Sequence, residues 1–184
     1  QWTFWGRHGL RRAGLAPPGL RGACQLRNAA AAVAVVELLK PRLPVSMQAL
    51  RRGLIELELP ARFQVLPGRP AIILDVAHNP EAVAVLAENL ADMPFFARTI
   101  AVVGMLADKD LAGSLAALAA RVDVWLLADL DVPRGAPAAL LAAAVASAGV
   151  GGRVECLSSP AQAFARAAEL AEENDRILVF GSFY

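Results

Sequence analysis

The chain has 184 residues, 57% of them hydrophobic and 39 of them alanine, with 18 Lys and Arg against 17 Asp and Glu and a formal net charge of +1. That length suits one domain and part of a second, and it is ample to bury a core. The balanced charge gives no general pull toward nucleic acid or acidic membranes, and the longest apolar run, Ala29 to Leu39, is broken by Glu37 and falls far short of the roughly 20 residues a spanning helix needs.

The first residues, Gln1-Trp2-Thr3, show neither an initiator Met nor a basic, signal-like start. Trp2 to Trp5 reads as the last piece of a strand, followed by a Gly/Pro/Arg-rich connection through Pro17-Pro18-Gly19. Asn28 to Lys40 has a strong helical composition closed by Pro41. Ser46 is an N-cap candidate for a short helix from Met47 to Arg52, ended by Gly53. No third element is visible to close a core here, so this segment is expected to belong to a larger unit.

From Phe63 the rhythm becomes regular. Strands are expected at 63–66, 71–76, 99–103, 122–127, 153–157 and 176–180, and helices at 81–91, 111–121, 136–148 and 161–172. Runs such as Ile72-Ile73-Leu74 and Ile177-Leu178-Val179-Phe180 are continuously apolar, which marks strands of a mainly parallel sheet covered on both faces. The βαβα order makes the fold class α/β, an open and mostly parallel sheet with helices on both faces. The boundary is expected near 57–60, giving units of 1–58 and 59–184. The sequence starts without Met and stops at Gly181-Ser182-Phe183-Tyr184, directly after an apolar strand-like run, so both ends are expected to be cut. Two cysteines, Cys24 and Cys156, make no disulfide framework, and a reducing, cytoplasmic compartment is the expectation.

Ligands of open parallel sheets bind beyond the carboxyl ends of the strands. Asp75, ending a strand, has the chemistry to accept bonds from ribose hydroxyls or to fold its own turn through an Asx bond. His78, in a strand-to-helix loop, can carry a proton or contact an anion near neutral pH, or can merely precede a helix. Asn79-Pro80 is an ordinary helix start. Lys109, one of only two lysines, lies between Asp108 and Asp110; its rarity singles it out, and the plain alternative is a surface ion-pair loop with Asp110 as N-cap of the next helix. Arg62 and Arg134 can each clamp a phosphate or carboxylate through the guanidinium fork. Ser182 follows a glycine at a strand end. No G-x-x-x-x-G-K-[ST] loop, G-x-G-x-x-G fingerprint, C-x-x-C pair or H-E-x-x-H helix occurs, so no metal site is expected in this chain.

The motifs Leu59-Pro60-Ala61-Arg62-Phe63-Gln64-Val65, Ile73-Leu74-Asp75-Val76-Ala77-His78-Asn79-Pro80, Gly104-Met105-Leu106-Ala107-Asp108-Lys109-Asp110, Pro133-Arg134-Gly135-Ala136 and Phe180-Gly181-Ser182-Phe183 together resemble the C-terminal domain of the folylpolyglutamate synthase/dihydrofolate synthase family, within the Mur ligase superfamily. Upstream, Gly22-Ala23-Cys24-Gln25-Leu26-Arg27-Asn28 resembles the helix start that ends the family's central ATPase domain.

The resemblance implies an ATP-dependent ligase that joins L-glutamate to dihydropteroate or to folate polyglutamate tails through an acyl phosphate. It implies ATP and Mg²⁺, with the magnesium ligands and the phosphate loop on an N-terminal ATPase domain outside this chain, and a monomeric protein. It also implies that Asn28 contacts adenine, Arg62 the ATP phosphates and Asp75 the ribose. His78 and Ser182 would serve the incoming glutamate or its transition state, and Lys109 and Arg134 belong with the substrate side without a specific role. Two departures stand out: Ala61 where the family usually has Gly, and Cys24 where it usually has His. The competing readings are a peptidoglycan-precursor ligase of the same superfamily and a non-catalytic α/β ligand-binding module.

Overall fold

The computed structural model describes residues 1–184, which divide after Pro60 into two compact units. In the first, strands β1 (Trp2–Trp5) and β2 (Arg11–Leu15) form an antiparallel hairpin around a 3₁₀ turn, followed by helices α1 (Cys24–Leu39) and α2 (Met47–Ile55). Contrary to expectation, these four elements do close a small core: Leu15, Ala29, Val33 and Leu54 are buried, with Trp2, Phe4, Met47 and Leu50 packed against them.

Strand β2 was hidden in the sequence because it reads Arg-Arg-Ala-Gly-Leu, a poor strand composition. Its Arg12 bonds Glu37 of α1 through Nε at 2.7 Å and through its terminal nitrogen at 2.6 Å, a two-point pair that ties hairpin to helix. Helix α1 starts at Cys24, earlier than the alanine run suggested, and α2 passes through Gly53. An Arg52–Glu56 pair spans that glycine, and buried Leu54 adds packing that offsets the weak helix propensity of glycine. Ser46 caps α2 by accepting the Ala49 amide, as its type and position imply.

The second unit contains β3 (Gln64–Leu66), β4 (Ala71–Leu74), α3 (Pro80–Ala91), β5 (Thr99–Val103), α4 (Leu111–Ala116), β6 (Val124–Ala128), α5 (Ala138–Ser147), β7 (Arg153–Leu157), α6 (Pro160–Leu170) and β8 (Arg176–Phe180). The six strands lie in the order β3-β4-β8-β5-β6-β7, and only β3 runs antiparallel to its neighbour. The last strand, β8, thus enters the middle of the sheet between β4 and β5.

Every residue of β5 and β6 is buried, which is why these strands are apolar throughout. Alternate side chains still part by face. Ala101, Val103, Trp125 and Leu127 join the cluster with residues of α3, α4 and α5, whereas Ile100, Val102, Val124 and Leu126 meet Ala163 and Ala167 of α6. Three helices cover one face and one covers the other.

Several expected boundaries move for local reasons. Strand β4 stops at Leu74 because Asp75 folds back into a turn. Helix α4 ends at Ala116, after which residues 117–121 tighten into i→i+3 bonds such as Leu118 N–H to Leu115 O. Strand β6 starts only at Val124, since Asp123 is tied to Thr99 by its own amide and by its carboxylate, which accepts the Thr99 amide at 2.8 Å. Helix α5 starts two residues late, behind Pro137, and α6 ends at Leu170. No helix is long and apolar enough to cross a membrane.

Candidate functional site

The candidate site lies at the carboxyl ends of β4, β8, β5 and β6, where the chain leaves each strand into a polar loop. Beyond β4, Asp75 is partly buried and both of its carboxylate oxygens are engaged. Oδ1 accepts the Ala77 amide at 2.7 Å, an Asx turn, and Oδ2 accepts the Phe63 amide at 2.8 Å. Burial pushes its pKa above the ordinary carboxylate value, against the opposing pull of the Ala77 and Phe63 amides and the Arg62 charge. The Asx alternative is therefore realised, and each oxygen keeps a lone pair for a further donor.

The Phe63 contact belongs to an unusual turn. Ala61 and Phe63 both have left-handed backbone conformations, with φ of 53° and 47°, which cost non-glycine residues on the order of 1–2 kcal/mol each. Three bonds hold the turn: Ala61 N–H to Gln64 Oε1 at 3.0 Å, Val76 N–H to Ala61 O at 3.0 Å, and the Asp75 contact. Between the two strained residues, Arg62 is exposed and lies with its Cζ 5.1 Å from the centre of the Phe183 ring.

His78 precedes the N-cap of α3, where Asn79 accepts the Ala82 amide at 2.8 Å and Pro80 takes the first helical position. His78 Nδ1 is 2.8 Å from Val76 O. A carbonyl only accepts, so in this contact Nδ1 carries the proton and Nε2 is left open to another partner. The His78 ring is 5.8 Å from Phe183, tilted by 59°.

Two further loops complete a cleft of about 310 Å³ whose lining includes His78, Lys109, Arg134, Ser182, Phe183 and Tyr184. The loop after β5 and the loop after β6 are joined by Ala107 N–H to Arg134 O at 2.8 Å and Ala136 N–H to Met105 O at 2.9 Å. Gly135 permits this joint, since a Cβ there would overlap the Leu130 carbonyl. The joint brings Lys109 and Arg134 together across Asp108, whose oxygens lie 3.9 Å from Lys109 Nζ and 2.9 Å from Arg134. Gly181 has φ of 119° and leaves no room for a Cβ beside the Gly104 carbonyl, so β8 can end tightly against β5 and deliver Ser182 to the cleft.

The structure thus unites His78, Lys109, Arg134 and Ser182 in one cleft, and links Arg62 and Asp75 to it through Phe183 and Phe63. Asn28 lies in the first unit, exposed near the start of α1, with its amide nitrogen 3.1 Å from Gln25 Oε1. Phe183 is the participant that residue-by-residue reading passed over; its place directly after Gly181-Ser182 was the available signal. No group of three or more His, Cys, Asp or Glu that could hold a metal occurs, so the divalent cation implied by the resemblance finds no ligand set of its own here.

An open, mostly parallel sheet with cationic and histidine side chains gathered beyond its strand ends has the architecture of an α/β domain whose cleft is suited to anionic ligands. Residues 61–183 match the family model described as Mur ligase, glutamate ligase domain, and the chain belongs to that family. It is 42% identical over 154 residues to the dihydrofolate synthase/folylpolyglutamate synthase of Escherichia coli K12, an alignment covering 84% of this chain and 35% of that protein. Among solved structures it resembles E. coli FolC in complex with DHPP and ADP, with a TM-score of 0.82, 39% identity, and coverage of 99% of this chain and 41% of the other. It also resembles a bifunctional folylpolyglutamate synthase/dihydrofolate synthase with Mn, AMPPNP and L-glutamate bound, with a TM-score of 0.77, 40% identity, and coverage of 96% and 40%. The chain therefore spans only about two fifths or less of the length of these relatives.

Proposed function

We propose that this chain is the C-terminal part of an ATP-dependent ligase that adds L-glutamate to dihydropteroate, to folate polyglutamate tails, or to both. Residues 1–60 would finish a central ATP-binding domain and residues 61–184 would form the glutamate-ligase domain. The observation that carries this reading is the cleft holding His78, Lys109, Arg134 and Ser182, on a fold shared with relatives that carry the synthase name and with a structure bound to ADP.

The chemistry suits these groups. A carboxylate is a poor electrophile, so an oxygen of the substrate carboxylate first attacks the γ-phosphorus of ATP and ADP departs. The glutamate amine then attacks the acyl carbon of the acyl phosphate, and inorganic phosphate leaves as the amide forms. Arg62 would bind phosphate oxygens through its guanidinium edge, and Asp75 would accept ribose hydroxyls on its remaining lone pairs. Lys109 and Arg134 would hold glutamate carboxylates, Ser182 would donate a bond to the same substrate, and His78 Nε2 would take the proton released by the amine. Asn28 would contact adenine. Mg²⁺, bound by residues outside this chain, would offset charge on the transferring phosphoryl group. A monomer working in the cytoplasm fits this reading.

The chain carries no phosphate-loop motif, so by itself it is expected to bind ATP weakly and to turn over none. The deciding experiment replaces the matching C-terminal region of the E. coli relative with this chain and measures ATP-dependent glutamate addition to dihydropteroate. The reading expects an active chimera that Arg62→Ala or His78→Ala impairs. A folded chimera without activity would overturn it, as would ligase turnover by the 184 residues alone.

A further inference from the structure

Phe183 touches both of the groups that the proposed reaction needs at opposite ends of its charge transfer. Its ring lies 5.1 Å from the Arg62 guanidinium carbon and 5.8 Å from the His78 ring centre, yet it is 67% exposed, so burial alone does not explain a large apolar side chain here. Arg62 is held at its backbone by a strained turn, but its long side chain has no carboxylate bonded to it. The aromatic ring is the contact that restricts it. A guanidinium stacked face-on against a ring keeps its in-plane N–H edge free, and in that arrangement the ring does not compete with phosphate oxygens for the same donors.

We propose that Phe183 is a positioning residue: its ring holds the Arg62 guanidinium and the His78 imidazole in place on a common support, so that an anion bound by Arg62 meets an already ordered side chain. The inference rests on the assignment of Arg62 to the ATP phosphates. A mobile arginine must lose rotamer freedom when it binds, whereas one already restrained by the ring loses less.

The test uses the 184-residue chain, ATP as the probe, and NMR spectra that resolve the Arg62 Nε–H and the His78 ring protons. In the free chain, Phe183→Leu should remove the ring-current shifts of both groups, Phe183→Tyr should keep them, and the remaining amide spectrum should stay unchanged. In titrations at millimolar ATP, Phe183→Leu should weaken binding about two- to five-fold, the size of an exposed cation–π contact. Phe183→Tyr should restore it, and Phe183→Leu should have no further effect in an Arg62→Ala background. If Arg62→Ala weakens ATP binding and Phe183→Leu does not, the positioning role falls while the Arg62 assignment stands. Equal weakening by Phe183→Leu with and without Arg62 also overturns it, because the ring then acts through something else. If the unsubstituted chain shows no shift at millimolar ATP, the same substitutions are read in the chimera with the E. coli relative, and if Arg62→Ala has no effect on ATP binding there, the Arg62 assignment itself fails and the inference falls with it.

Discussion

Asp75 Oδ2 accepts the Phe63 amide at 2.8 Å, joining the end of β4 to a turn twelve residues earlier in the chain. With its other oxygen on the Ala77 amide, this one carboxylate holds the entry of the loop that carries His78 and the turn that carries Arg62. A partly buried carboxylate with two backbone donors at fixed positions is a structural clasp as well as a candidate ligand group.

Asp75→Asn should break that clasp. The amide group of asparagine presents only one acceptor oxygen, and its nitrogen would face a backbone N–H. Leaving such a donor unsatisfied costs about 1–3 kcal/mol, which urea denaturation of the chain would read. The pH dependence has a definite sign. Burial raises the Asp75 pKa above its unfolded value, so the native state binds the proton more readily. Its contribution to stability is greatest at and below the ordinary carboxylate range, and declines as pH rises through the raised folded pKa. The difference in stability between the parent chain and Asp75→Asn should shrink over that window and then level off.

Ala61→Gly should stabilise the chain by about 1 kcal/mol. At φ of 53° an alanine carries a left-handed cost that glycine lacks, partly offset by the greater freedom of glycine in the unfolded state. The resemblance to a family that usually has Gly at this position agrees with that sign. A thermal melt that moved downward would mean that the neighbouring clamps require the methyl group.

Acid unfolding should depend on Asp175, at the opposite end of the sheet from the cleft. Its side chain is 1% exposed, and burial by itself would raise its pKa. The bonds from Arg98 and from the Glu172 amide together outweigh burial and hold it below the usual range. This is the reverse of Asp75: the stabilisation is present above the ordinary carboxylate pKa and is lost as pH falls through the lowered folded value. Asp175→Asn should cost about 1–3 kcal/mol at neutral pH and make the acid limb of the stability profile shallower, as followed by circular dichroism.

The second unit was legible because its signals are local and repeated. Buried parallel strands such as Thr99–Val103 must be apolar on both faces, and caps such as Asn79 and Asp110 mark helix starts by residue type alone. The hairpin strand Arg11–Leu15 was not legible, since its stability comes from the Arg12–Glu37 pair and from packing that strand composition does not encode. In the site, His78, Lys109, Arg134 and Ser182 could be singled out from their places after strands. That they share one cleft could not, because it depends on the loop joint at Gly135 and on β8 entering the middle of the sheet. The left-handed turn around Arg62 was equally invisible, since neither Ala61 nor Phe63 is a residue type that announces a positive φ.

Asp108 sits between the two cations of the cleft, 2.9 Å from Arg134 and 3.9 Å from Lys109, and so competes with any anion that binds there. Asp108→Asn should strengthen binding of an anionic ligand such as L-glutamate, and Arg134→Ala should weaken it. Both cations keep contact with solvent, so the changes should be only a few-fold and should diminish with added salt. Titration of the isotopically labelled chain with L-glutamate at low and high ionic strength would read both effects. If Asp108→Asn weakens binding instead, the carboxylate orders Arg134 more than it neutralises it. Gly135→Ala then offers an independent check, because disrupting the joint between the two loops should separate the cations and lower affinity whichever role Asp108 plays.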